Sequence, residues 1–177
     1  MSTAQVVEKL QHRFPQCSFE ARPLCMRIDG SPSDQLWVRV VPNHLIEVMR
    51  FLRDDAACKM EFLTDVTCVD YLNFPDADDR FGVIYSLLSH THGHRLWVKV
   101  FVNDPEPHLP SVTSIWPGAN WTEREVFDLF GIRFEGHPDL RRILCPPNFK
   151  DHALRKDYPL RGKGEREQFP VVTRETA

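Results

Sequence analysis

Residues 80–89 and 95–102 constrain the fold of this 177-residue chain more than any other feature. Both runs are rich in β-branched and aromatic residues, and only a short turn around Thr91 to His94 separates them. In the second, Trp97 to Phe101 alternate apolar with polar at Lys99. Runs so patterned and so closely joined close as an antiparallel hairpin. Residues 59–71 have the composition of a further strand with a break inside it, and 24–28 and 36–41 read as two more around the turn Gly30-Ser31-Pro32-Ser33. Helical spacing marks 3–14, where Val6, Val7 and Leu10 share a side and Pro15 lies beyond the end. A second helix follows Asn43, a good cap, with Leu45, Ile46, Val48, Met49 and Leu52 as its apolar stripe. Strands and helices in this order predict an α+β fold, a small mostly antiparallel sheet with packed helices.

Beyond Val102 the punctuation changes to Pro105, Pro107, Pro110 and Pro117, predicting a compact loop with one short helix at 111–116. The block from Trp121 to Leu144 is the most specific in the chain. Thr122 and Glu125 have the spacing of a capping box, which predicts a helix starting near Trp121. Gly131 is its expected stop. On that helix Val126, Phe127, Leu129 and Phe130 fall on an apolar arc, and Arg124, Glu125 and Asp128 on a polar one. From Pro146 onward large apolar residues thin out and prolines exclude a long helix. That composition divides the chain into a globular part, 1–145, and an extended arm, 146–177, expected to gain order only along a partner.

Composition removes several classes of function. A net charge of −3 without a basic patch argues against nucleic acid and anionic lipid. No apolar run approaches the roughly 20 residues that span a bilayer. The opening MSTAQVVEKLQHRF has no apolar core, so no secretory signal or transit peptide is expected. The five cysteines, at 17, 25, 58, 68 and 145, lack any CxxC and read as reduced thiols rather than as cluster or metal ligands.

Glu123, Arg124, Glu125 and Asp128 could form an acid/base set, but an ion-paired helix face accounts for them better, with Arg124 and Asp128 four residues apart. Glu123 projects near the apolar arc and, if buried, calls for a cation, for which Arg141 and Arg142 are candidates. His137-Pro138 reads as a rigid corner. His90, His92 and His94 would share one side of an extended strand as a metal surface, but Gly93 breaks that register and favours a hairpin tip. The acidic run 76–79 lacks the closing Glu of a calcium loop, and no GxGxxG, P-loop or GxSxG is present.

The residues Glu123, Arg124, Glu125, Asp128, Phe130, Gly131, Phe134, Gly136, His137, Pro138, Asp139, Leu140, Arg141 and Arg142 carry a resemblance. With Trp116 and Pro117 upstream and Arg155, Lys156, Asp157, Tyr158, Pro159 and Leu160 downstream, the block resembles the 30 kDa-type subunit family of proton-translocating NADH:quinone oxidoreductase, respiratory complex I. One departure is the stretch 148–153, NFKDHA, where the family has a Trp followed by Gly-His-Pro. The resemblance implies a peripheral-arm subunit without catalytic residues or a cofactor of its own, FMN, iron–sulfur clusters, NADH and quinone being bound by partner subunits. It implies docking on the large quinone-site subunit, at the cytoplasmic face of a bacterial inner membrane, with membrane association only through the complex. Glu123, Arg124, Glu125, Asp128, Gly131, His137, Pro138, Asp139, Arg141, Arg142 and residues 155–160 are the partner-binding positions it implies. Membrane-bound hydrogenases and ferredoxin:plastoquinone oxidoreductases use similar subunits, and a free-standing His-rich metal-binding protein or a soluble adaptor are the readings from other classes.

Overall fold

The computed structural model describes residues 2–164 apart from Ser18, Arg27, Asp34 and Asp76. Its sheet is built from β1 (Ala21–Pro23), β2 (Leu36–Arg39), β3 (Phe62–Asp70), β4 (Phe81–Leu88) and β5 (Arg95–Val102). The spatial order is β1-β2-β5-β4-β3, with β2 parallel to β5 and the other pairs antiparallel. The fold is therefore α+β, and the β4–β5 hairpin forms its centre, as its patterning required. The break expected in the third long strand is a register shift between Leu63 and Asp65. There Thr64 turns its hydroxyl onto the carbonyl of Ser86 at 2.8 Å.

Alternation gives the sheet two unlike faces. Val66, Cys68, Phe81, Val83, Tyr85, Leu87, Leu96, Val98 and Val100 point inward and are buried with residues of three helices in one core. The helices are α1 (Thr3–Arg13), α2 (Leu45–Asp54) and α3 (Ala119–Phe130). Each supplies an apolar stripe, such as Val6, Val7 and Leu10 from α1 and Leu45, Val48, Met49 and Leu52 from α2. Each such side chain, fully buried, stabilises the fold by about 1.5–3 kcal/mol. The outward face of the sheet, with Trp37, Ile84, Trp97, Lys99 and Phe101, keeps partial access to solvent. No helix of the described residues is long and apolar enough to cross a membrane.

Several local expectations are corrected. The described residues of 24–28 form no strand; they contribute one bridge, Met26 to Pro32, and the pairing strand lies earlier, at β1. Cys25, Met26 and Ile28 are exposed and Leu24 is only half-buried, so this segment has little apolar hold on the sheet. Asn43 does not cap α2. Pro42 begins helical geometry early, in a 3-10 turn over Pro42–His44, which places Asn43 inside the turn. The helix expected at 111–116 is a single turn in which the N–H groups of Ile115 and Trp116 both return to the Val112 carbonyl at 2.9 Å. A small parallel pair, β6 (His108–Pro110) with β7 (Arg133–Glu135), flanks α3 and was not anticipated.

Candidate functional site

The family-like block folds around α3, which ends where Gly131 takes φ +80°, the left-handed conformation that closes a helix. A side chain there would also strike the His152 ring, 2.7 Å from an ideal Cβ. The start of the helix differs from expectation. It begins at Ala119, so Thr122 lies inside the helix and bonds back to the Ala119 carbonyl at 3.3 Å rather than capping.

Three carboxylates of this region are buried, and each is satisfied differently. Glu123 is wholly buried, and the candidate cations pair elsewhere, Arg141 with Asp139 and Arg142 with Asp128. The Ser111 hydroxyl donates to it at 2.6 Å and the Val112 N–H at 2.7 Å. Burial raises its pKa to about 7 against the lowering effect of those two donors. His137 Nε2 stands 3.9 Å away, with its side chain fully enclosed. The Asp139 N–H donates to His137 Nδ1 at 3.0 Å, which leaves the proton on Nε2 to be donated to the Asn120 carbonyl at 3.1 Å. His137 thus ties the corner before Pro138 to the first turn of α3.

Asp128, placed on the polar arc by its spacing, is also wholly buried. The chain from 141 to 145 folds over it. Its Oδ2 accepts three consecutive N–H groups, Ile143, Leu144 and Cys145, at 3.0, 2.7 and 2.8 Å, and Arg142 reaches Oδ1 at 2.7 Å. Burial raises this carboxyl, but the donors outweigh it and its pKa lies below the usual value. Arg124, four residues away, does not meet Asp128. It donates to the carbonyls of Arg141 and Arg142 at 3.0 and 3.2 Å and lies over the Trp121 ring. Arg141 forms a solvent-exposed fork with Asp139. Glu125 is exposed.

Asp70, at the end of β3, is the third carboxylate. Burial raises it, and the N–H groups of Lys156 and Leu72 with the Arg80 guanidinium bring it below the ordinary range. Arg80 also pairs with Asp104 and, at 2.7 Å, with Asp157. Sequence reasoning missed Asp70 and Arg80. The signal was parity, since Asp70 shares the inward face of β3 with Val66 and Cys68 and so needed partners.

The segment after Cys145 was expected to find no seat on its own chain. Residues 151–157 make polar contacts with α3. The Leu154 N–H donates to the Leu129 carbonyl at 3.0 Å, Arg155 Nε to Phe130 at 2.7 Å and His152 Nδ1 to Asp128 at 2.9 Å, so the tail caps the open carbonyls of α3. Burial lowers the His152 pKa, consistent with a neutral donor. Arg142 adds a bond to the Asp151 carbonyl at 2.9 Å. Lys156, Asp157, Pro159 and Leu160 remain exposed, and Tyr158 is half-buried against Phe149. Positions 165–177 of the expected arm lie outside the described residues.

At the hairpin tip the His92 and His94 rings stack, and their Nε2 atoms address separate carbonyls, Ala56 at 3.0 Å and Cys58 at 3.2 Å. The His90 ring lies against Phe62. The three rings do not converge on one point, and no group of three or more metal-ligating side chains occurs among the described residues.

The family described as "Respiratory-chain NADH dehydrogenase, 30 Kd subunit" matches residues 38–164. The chain belongs to this family. It is 45% identical over 163 residues to the C-type subunit of NADH-quinone oxidoreductase from Trichlorobacter lovleyi, covering 92% of this chain and 93% of that one. It is 47% identical over 159 residues to the mitochondrial NADH dehydrogenase [ubiquinone] iron-sulfur protein 3 of Candida albicans, covering 90% of this chain and 55% of that protein. The chain thus spans about half the length of that mitochondrial relative. Among solved structures, a trypsin-resistant fragment (1–134) of Nqo5 matches with a TM-score of 0.61 and 37% identity, over 76% of this chain and 99% of that one. A chain of the membrane-bound sulfane sulfur reductase, an archaeal respiratory membrane complex, shares the fold at a TM-score of 0.68 and 22% identity, over 89% and 85%. The matched span, 38–164, contains α3 and all three buried carboxylates, Asp70, Glu123 and Asp128.

Proposed function

We propose that this chain is a non-catalytic subunit of the peripheral arm of a proton-translocating NADH:quinone oxidoreductase, and that it works by docking. Membership of the 30 kDa family supports this reading. The structural observation that carries it is the use made of Asp128 and Asp70: both carboxylates are committed to backbone N–H groups of 143–145 and 156, and so fix a surface. Glu123, Asp128 and His137 support that surface from within. Pro138, Arg141, Ile143, Leu144, Lys156, Pro159 and Leu160 stand on it with side chains accessible to a partner. The partner is the large quinone-site subunit, with FMN, the iron–sulfur clusters, NADH and quinone held by other chains. Association with the cytoplasmic face of a bacterial inner membrane then occurs only through the complex.

The test is an affinity pull-down of the tagged chain from solubilised membranes. Co-purification with an iron–sulfur quinone-site subunit and NADH-dependent quinone reduction is the expected result. Recovery of the chain alone, or with hydrogenase subunits in place of the NADH-oxidising ones, would overturn it.

A further inference from the structure

Lys99 sits at the middle of the sheet's outward face, in a setting that lacks one component. The register places Arg39 of β2 on one side of it and Ile84 of β4 on the other, while Trp97 and Phe101 precede and follow it on the same face of β5. Its Nζ lies 4.5 Å from the centre of the Trp37 ring. Arg39, the neighbouring cation, is neutralised by Asp79 at 2.6 Å and lies over Phe101. Among the described residues Lys99 has no such counter-ion. Among the described residues its ammonium makes no hydrogen bond or ion pair, only the contact with Trp37. Of the nearby carboxylates among the described residues, Asp79 is committed to Arg39 and Asn103 and Glu20 to Arg22, and Asp78 lines the same hollow of about 520 Å³ without pairing with Lys99. Burial alone lowers the pKa of this ammonium. A half-buried, unpaired charge amid aromatic rings carries a desolvation cost that an opposing charge would offset.

We propose that this face is a second docking surface, taken by a neighbouring subunit that presents a carboxylate ringed by apolar side chains. The carboxylate seats on Lys99, and its rim packs on Trp37, Ile84, Trp97 and Phe101. This rests on the reading of the chain as an assembly subunit, and it adds a face distinct from the α3 and tail surface. Other occupants fit less well. An anionic membrane would call for a cluster of unpaired bases, on the order of four or more. A second copy related by a two-fold axis through this face would set one Lys99 against another. Aromatic side chains around a single desolvated charge pair are the composition of an interface core.

The experiment uses the complex recovered by the pull-down. Acetic anhydride labelling measures the reactivity of the Lys99 amine in the isolated chain and in the complex, and a water-soluble carbodiimide joins amines to carboxylates in contact. The expected result is strong protection of Lys99 on assembly and an amide link from Lys99 to an Asp or Glu of another subunit, located by mass spectrometry. Lys99→Met keeps the aliphatic stem and should not lower the chain's own unfolding midpoint, because losing the contact between the ammonium and Trp37 is offset by removal of a desolvated charge. It should weaken association with the complex at least about thirtyfold, the effect of truncating one side of a buried charge pair. Co-purification with Lys99 still as reactive as in the isolated chain would overturn this inference and leave the assembly reading intact. A link between two copies of this chain would overturn it as well. Failure to co-purify with any membrane complex would remove both.

Discussion

At the scale of single residues, adjacent guanidinium groups have unequal consequences. Arg142 is 17% exposed and joins the buried carboxylate of Asp128 to the tail at Asp151, whereas the Arg141 fork with Asp139 lies in solvent. Arg142→Ala leaves Asp128 with its three amide donors but without a counter-charge, for which a loss of about 3 kcal/mol in urea unfolding is expected. Arg141→Ala should leave the midpoint where it is, because an exposed pair is screened and costs side-chain entropy to form. Equal effects would contradict the assignment of Asp128 to Arg142. Glu123 makes a second prediction, in pH. Its pKa rises from 4.5 to about 7 on folding, so between those values the folded chain holds a proton that the unfolded chain has released. Folded binding exceeds unfolded binding there, and the stability contribution present below pH 4.5 is lost as pH rises toward 7. Glu123→Gln can still accept from Val112 and does not titrate. The stability of the native chain relative to this variant should therefore fall across that window, by roughly 3 kcal/mol at most, and be level above it. Asp70 and Asp128 titrate below the ordinary carboxylate range in both proteins and cancel in the difference. A difference that is flat from pH 4.5 to 8 would mean that Glu123 is ionised throughout.

At the scale of elements, legibility followed the length of the periodic run. The β4–β5 hairpin, α1 and α2 were readable because eight or more residues repeat one pattern, and a full core lies against them. The three-residue strands β1, β6 and β7 carry too few positions for alternation to register. The capping boxes illustrate the limit. Thr122 and Glu125 have the right spacing but fall after the helix has begun, while Ser2 and Gln5, with the same spacing, form both reciprocal bonds at the start of α1. Spacing identifies a cap only when the preceding backbone is extended, and the loop geometry ahead of Ala119 is not encoded locally. The candidate site divides in the same way. Gly131 and the His137-Pro138 corner were legible from backbone requirements, but the burial of Asp128 depends on a loop arriving from residues 141–145. Gly131 also sets an element-scale prediction. Gly131→Ala forces a left-handed non-glycine residue and pushes against His152, so a loss of about 1–3 kcal/mol is expected, together with increased protease sensitivity near 152. An unchanged midpoint would mean that the α3 terminus and His152 yield without cost.

At the scale of the whole molecule, the question is whether the boundary expected at 145 separates a complete domain from an arm. The contacts made by 151–157 argue that the inner part of the arm completes the domain. Its N–H groups and side chains cap the last carbonyls of α3, and Lys156 supplies a donor to the Asp70 carboxylate, which is otherwise sealed between β3 and Arg80. Arg155 lies over the Phe81 ring on one side and pairs with Asp104 on the other, so it couples the tail to the β4–β5 end of the sheet. Removing residues after Cys145 would strip a donor from a buried carboxylate and uncap the Leu129 and Phe130 carbonyls, while the Asp128 carbonyl would keep Arg142 at 3.2 Å. A chain ending at Cys145 is therefore expected to unfold at lower urea concentration than the full chain, with a loss on the order of 2–4 kcal/mol. Because Arg80, Arg155, Asp104 and Asp157 form a partly exposed network, added salt should narrow the gap between the two chains. The proposed function adds a condition in the complex, where the truncated chain should be retained poorly even at temperatures at which it is folded, since 156–160 is also part of the docking surface. A truncated chain with the full midpoint would return the boundary to 145 and make the tail a separate arm; one that also assembles and supports quinone reduction would show that the tail contributes neither to folding nor to docking.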